Sequence, residues 1–179
     1  MKYEDFNWEG ITYSGSYIKA LFDWVKDHPF MNGLEVGFDQ GASALAFLRA
    51  CPEARLLSVD IDLCGPANAR VRTSEVSERF SFRCGDSRIE LIDMISQYGE
   101  KAFDFIYIDG DHLYDASKQD LFNAHPLLKD GGYMIVDDAN PNHQHFGVGR
   151  AVDEFCSEFN YHKVDLPGSS SEAVVLLKR

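Results

Sequence analysis

Two short runs carry side chains whose types and spacing suit chemistry at a charged centre. One is Asp109-Gly110-Asp111-His112, directly after the apolar stretch 103–108; the other is Asp137-Asp138, directly after the apolar stretch 133–136. Carboxylates hold hard cations or share protons, and an imidazole with an ordinary pKa of about 6.5 exchanges its proton around neutrality. His112 is therefore the candidate general base for a hydroxyl proton; the alternative is a histidine that caps or pairs at a helix start. Asp111 reads as an N-cap or supporting acceptor, and Asp115 and Asp120 as solvated helix residues. Taken alone, the same residues also suit a surface turn, so their meaning depends on what the rest of the chain sets beside them.

Polar groups recur wherever an apolar run ends. Glu35, Gly37, Gly41 and Ser43 surround the first such end, where glycines allow close backbone approach and a following helix presents unpaired N–H groups. The spacing is not the GxGxxG dinucleotide fingerprint, and a tight strand–helix turn is the plain alternative. Asp60 ends the second run and has the acceptors for a ribose diol, with Asp62 as its alternate. Asp86 is placed to accept a purine amino group, and Ser87 to cap the next helix and touch the base; an N-cap cluster is the competing reading.

The elements that must position these groups alternate. Helical patterns run over 16–28, 40–50, 87–99, 114–125 and 148–159, and strand patterns over 34–38, 55–62, 79–86, 103–109, 133–139, 160–166 and 172–178. Residues 63–78 are ambiguous between a loop begun by Gly65-Pro66 and an irregular helix. The alternation predicts one open α/β sheet covered on both faces, with ligands beyond the C-terminal ends of its strands. The last strand–turn–strand predicts an antiparallel edge pair. Residues 1–15 read as an N-terminal arm or cap and 16–179 as one domain. Phe6, Trp8, Tyr13 and Tyr17 are candidates for an apolar cap over a ligand.

Composition narrows the classes. The 179 residues, 45% hydrophobic with 13 Phe, have enough apolar material for a sizeable core. A formal net charge of -12, from 17 basic and 29 acidic side chains, opposes binding to nucleic-acid backbones and anionic membranes. No apolar run has the length of a membrane span, and the N-terminus does not pair a basic region with an apolar one, so a soluble, cytoplasmic protein is expected. Cys51, Cys64, Cys84 and Cys156 form no close pair and are expected as free or buried thiols.

From Gly33 to Phe159 the chain resembles the class I S-adenosylmethionine-dependent methyltransferases, and more closely the Methyltransf_24 and macrocin O-methyltransferase-like group. The resemblance lies in LEVGFDQGASA, LLSVDID, FRCGDS, FIYIDGDHLYDASKQDL, PLLKDGGYMIVDDA and GVGRAVDEF. It implies a single-domain Rossmann-like fold, a seven-stranded, mostly parallel sheet of order 3-2-1-4-5-7-6 with an antiparallel C-terminal strand. It also implies S-adenosylmethionine as cofactor, with its methionine part near Glu35, Gly37, Gly41 and Ser43. Asp60 takes the ribose position, Asp86 and Ser87 flank the adenine, and Asp109 borders both cofactor and acceptor. The run Gly37-Phe38-Asp39-Gln40-Gly41 departs from the commonest GxGxG form but matches the EVGxxxGxSA form of metal-assisted relatives.

With strands four and five adjacent, Asp109, Asp137 and Asp138 converge, and a divalent ion, Mg²⁺, is the expected neutraliser. Where catechol-type relatives carry Asp-Asn, this chain has Asp137-Asp138, as in the macrolide-modifying group. The implied function is methyl transfer to a hydroxyl oxygen of a small metabolite by SN2 displacement, with metal assistance, His112 as base and a possible homodimer. The alternative is a noncatalytic S-adenosyl ligand-binding protein whose acidic cluster is structural. In the loop after strand five, Asn140, His143 and His145 are candidates to line the acceptor pocket.

Overall fold

Apolar residues at helical spacing let α1 (Gly15–Asp27) bury Tyr17, Ile18, Leu21, Phe22 and Val25 on one face, and the helix stops short of Pro29, whose ring cannot continue it. The computed structural model describes residues 2–8, 15–62, 74–140, 146–170 and 172–179. After α1 come β1 (Asn32–Val36), α2 (Ala42–Ala50), β2 (Arg55–Asp60), β3 (Phe80–Cys84), α3 (Ser87–Tyr98), β4 (Phe103–Ile108), α4 (Tyr114–Ala124), β5 (Leu128–Val136), α5 (Phe146–Phe159), β6 (His162–Asp165) and β7 (Val174–Leu177).

The seven strands form one sheet of order β3-β2-β1-β4-β5-β7-β6. The first five run parallel to one another, and β7 lies antiparallel between β5 and β6. This is the Rossmann-like order implied by the sequence. Because helices cover both faces, β1 and β4 are buried at nearly every position rather than at alternate ones. Phe105 and Tyr107 of β4 pack toward α1 and α2, while Ile106 and Ile108 pack toward the layer of α3, α4 and α5.

Several boundaries differ from the sequence expectation. Strand β5 begins at Leu128 rather than near Tyr133, because the Lys129–Gly132 segment is absorbed as a bulge. Phe103 pairs with Leu128, and the next pair is Phe105 with Tyr133. Strand β2 stops at Asp60, leaving Asp62 beyond the sheet. Of the ambiguous stretch, Ser74–Val76 forms a short 3-10 turn and 63–73 lie outside the described residues. The N-terminal aromatics also sit elsewhere than expected. Tyr3 stacks on Trp8 at 4.4 Å, Phe6 and Trp8 pack edge-on against Phe22, and the Arg49 guanidinium lies 4.5 Å from the Trp8 ring centre. That cluster fastens the arm to the flank formed by α1 and α2, so Phe6 and Trp8 do not cover the cavity described below. Tyr13 lies outside the described residues.

The ends of β1 and β4 meet at one close contact that sets the site. Gly37 has φ 88°, and a Cβ there would lie 1.8 Å from the backbone oxygen of Asp109. Its own N–H donates to Val59 O at 2.9 Å, while Asp109 N–H donates to Val36 O at 2.8 Å. Neither strand can recede without losing a ladder bond. Gly37→Ala is expected to lower stability by roughly 2–4 kcal/mol, from backbone strain plus the clash. Urea denaturation of both proteins checks this; an unchanged midpoint would mean that the junction yields freely.

Candidate active site

A cavity of about 570 Å³ opens beyond the C-terminal ends of β1, β2, β3 and β4. Gly37, Ser43, Asp60, Asp86, Ser87, Asp109 and His112, all predicted from sequence, line it. Glu35, Gly41, Asp137 and Asp138 stand behind the lining.

Glu35 is fully buried beneath the loop that joins β1 to α2. Its Oε1 accepts the Ser43 hydroxyl at 2.5 Å and its Oε2 accepts the Ser58 hydroxyl, tying β1 to α2 and β2. Both oxygens meet serine donors, so the residue braces the loop beside which the resemblance places the methionine part of the cofactor. Burial raises its pKa to about 8, against the lowering effect of the two hydroxyls. Gly41 (φ 75°) caps α2, where a Cβ would strike the Phe38 ring at 2.4 Å. Asp60 Oδ2 accepts the backbone N–H of Phe38 at 2.7 Å and of Asp39 at 3.0 Å, and Oδ1 accepts that of Asp62 at 2.8 Å. The loop is thus hung on Asp60, which lines the cavity while accepting three backbone N–H groups.

At the third strand end, Asp86 caps α3 by accepting the Arg88 N–H at 3.0 Å. The Arg88 guanidinium then grips both carboxylate oxygens, with Nε 2.9 Å from Oδ1 and Nη2 2.5 Å from Oδ2, and this pairing holds Asp86 below its usual pKa. Ser87 turns inward and donates to Asp120 Oδ1 at 2.7 Å. The sequence reading of Asp120 as solvated is wrong. It is 1% exposed, lines the cavity floor, and is pushed by burial to a pKa of about 6.

The acidic end is a chain of hydrogen bonds. Asp137 N–H donates to Ile108 O at 3.0 Å, which draws the end of β5 to that of β4. His112 lies between two carboxylates, Nε2 3.4 Å from Asp109 Oδ1 and Nδ1 3.0 Å from Asp138 Oδ2. Tyr107 donates to Asp109 Oδ2 at 3.1 Å and Tyr17 to Asp137 Oδ1 at 2.5 Å, with the two phenol oxygens 3.2 Å apart. Burial raises the pKa of Asp109 and Asp137, and hydrogen bonding to Asp109 and Asp138 pushes His112 up to about 10. The two carboxylates thus favour the protonated ring, whereas the sequence reading started from an ordinary imidazole pKa. Asp111 is exposed and accepts the Leu113 N–H at 3.0 Å, a turn just ahead of α4, whose N-cap is Leu113 rather than Asp111.

This arrangement does not fit the expected Mg²⁺ site. The imidazole already bridges Asp109 and Asp138, and Tyr17 occupies Asp137. Among the described residues, no three His, Cys, Asp or Glu side chains are grouped to hold a metal ion. His143 and His145 lie outside the described residues.

Sequence reasoning passed over Tyr107, Ser58 and Arg88, and gave Tyr17 only a covering role. Tyr107 was within reach, because it precedes Asp109 by two residues on an extended chain and so shares its face. Tyr17 arrives from a distant helix, and only the fold reveals it.

A family model described as Methyltransf_24, a methyltransferase domain, matches residues 34–139, more than half of the chain. No curated protein matches the sequence. Among solved structures, the chain is similar to the SAH-bound methyltransferase PaMTH1 of Podospora anserina, with TM-score 0.74, 18% identity, and coverage of 94% of this chain and 80% of that one. It is also similar to an O-methyltransferase of Bacillus cereus in complex with SAH (TM-score 0.72, 19% identity, 98% and 87% covered). A third is TomG, an O-methyltransferase of Streptomyces achromogenes involved in tomaymycin synthesis, in complex with SAM (0.71, 19%, 99% and 86%). At these identities the likeness is one of fold. Among the described residues, no helix is long and apolar enough to cross a membrane.

Glu35 yields a pH test. Its folded pKa of about 8 lies above the ordinary 4.5, so the native state retains a proton that the unfolded chain releases. The stabilisation is complete below about 4.5 and is lost as the pH rises toward about 8. Glu35→Gln is neutral throughout, so its stability relative to wild type should rise across that window by on the order of a few kcal/mol. Thermal melts of both proteins across the window report the difference; a constant difference would mean that Glu35 is ionised in the fold.

Proposed function

The chain belongs to the Methyltransf_24 methyltransferase-domain family, and on that premise we propose that residues 16–179 transfer a methyl group from S-adenosylmethionine to a hydroxyl oxygen of a small metabolite. The observation that carries this reading is the cavity wall itself. A loop with no room for a Cβ at Gly37, a carboxylate at Asp60 and a proton-exchanging set at Asp109 and His112 all border one space. Its volume, about 570 Å³, is within the range of cofactor pockets. When bound, S-adenosylmethionine supplies an electrophilic methyl group on a sulfonium that needs no acid to leave.

The chain's own residues do the rest. Asp60 offers its one remaining acceptor site to a ribose hydroxyl while its other contacts keep the loop in place. Ser43 and the N-terminal turn of α2 border the end of the cavity next to Gly37, where unpaired N–H groups suit a carboxylate. Asp86 and Ser87 flank the opposite end. Asp109 and Asp138 hold the His112 ring at the cavity wall, so an acceptor hydroxyl there meets an oriented imidazole. A cationic ligand in the cavity opposes a second positive charge on His112 and drives its proton to solvent. The neutral ring keeps Nδ1 on Asp138, releases the longer Nε2 contact to Asp109, and takes the hydroxyl proton on Nε2 as the oxygen becomes a nucleophile. Holding the reacting oxygen in line supplies much of the acceleration. Mg²⁺ would require His112 and Tyr17 to release all three carboxylates, and no step here is routed through it.

Single-turnover methyl transfer to a panel of hydroxylated acceptors tests the proposal. His112→Ala is expected to slow transfer by roughly 10²–10⁴-fold with cofactor affinity nearly intact. Because the ring must lose its proton to act and its pKa is raised, the wild-type rate should climb with pH along a limb lying above about 6.5. A variant with the wild-type rate and profile would remove His112 from the proton path. Chelation should leave the rate within about twofold, since the imidazolium already neutralises the carboxylates; loss on chelation with recovery on added Mg²⁺ would show that an ion displaces the ring.

A further inference from the structure

The structure separates two carboxylates that compete for one task. Asp86, the sequence candidate for reading a purine amino group, has both oxygens gripped by Arg88. Behind it on α4, Asp120 lies on the cavity floor with Oδ1 taken by Ser87 at 2.7 Å. No donor among the described residues meets its Oδ2, although the residue is only 1% exposed. That oxygen is not fully enclosed and stays open toward the cavity the residue lines, where a ligand N–H can complete it. Gly110 is what keeps it open: a Cβ there would stand 3.1 Å from Asp120 Oδ2.

We propose that Asp120 reads the 6-amino group of the cofactor's adenine, its Oδ2 accepting an N–H of that group. The inference rests on the cofactor reading above and moves adenine specificity from Asp86 to a residue of α4. With its pKa at about 6, Asp120 is a carboxylate at pH 7.5, an acceptor with no proton to give. An amino group complements that oxygen, whereas the 6-oxo group of hypoxanthine sets acceptor against acceptor and leaves both unpaired. Asp86, kept charged by Arg88, then serves to cap α3 and hold the floor in place.

The test is calorimetric titration at pH 7.5 with S-adenosylhomocysteine and its 6-oxo counterpart. Wild type should prefer the amino ligand by roughly 10- to 100-fold, the range expected for a hydrogen bond to a charged group. Asp120→Asn, which keeps a partner for Ser87, should bring the two affinities to within about threefold. Gly110→Ala leaves the carboxylate in place but crowds Oδ2, and should weaken the amino ligand more than the oxo one. It serves, with the wild-type comparison, if Asp120→Asn fails to fold. Equal wild-type affinities would overturn the inference while leaving the cofactor reading intact. So would a preference lost in Asp86→Asn and kept in Asp120→Asn. Failure of wild type to bind either ligand would overturn both.

Discussion

Burying several carboxyl groups along one edge of one sheet is the constraint that organises this molecule. Glu35, Asp120 and Asp138 are buried and Asp109 and Asp137 partly buried near the C-terminal ends of the parallel strands, where an unpaired carboxylate is costly. Each is answered differently. Glu35 has two serine hydroxyls and a retained proton; Asp120 has Ser87; Asp109 has Tyr107 and shares His112 with Asp138; Asp137 takes Tyr17. The contacts that make these carboxyls tolerable also tie strand ends to helices around the cavity.

Topology makes those answers possible. Placing β1 between β2 and β4 sets the Gly37 loop against the start of the Asp109 loop, and placing β5 next to β4 sets Asp137 and Asp138 beside them. The helix that supplies Tyr17 packs on the face of the sheet that carries Tyr107, so two phenols from distant parts of the chain meet under the acidic end. The loop after β4 supplies His112 to the top of the same cluster, and α4 supplies Asp120 from below.

Much of the fold was readable because its signals are local. The periods of Tyr17 to Val25, the proline after α1 and the apolar runs ending in Asp60 and Asp109 each fix an element within a few residues. The bulge in β5 was not readable, since Lys129–Gly132 carries turn residues and only pairing with β4 absorbs them into the strand. At the site, residue types and strand ends marked Gly37, Asp60, Asp109 and His112 as cavity residues. Protonation was not legible: the pKa of His112 depends on Asp138, which arrives from another strand. Nor was the burial of Asp120, whose neighbours in sequence are mostly polar.

The account turns on an imidazolium that compensates buried carboxylates at rest and yields its proton when a cation is bound. Following the His112 ring by NMR in isotopically labelled protein tests this directly, in the ligand-free state and with S-adenosylmethionine or S-adenosylhomocysteine bound. The account predicts that the free protein keeps this ring protonated up to a pH of about 10. The sulfonium ligand should move the titration toward neutrality, and the uncharged thioether should move it less. A ring that titrates near 6.5 in the free protein, with no difference between the two ligands, would contradict it.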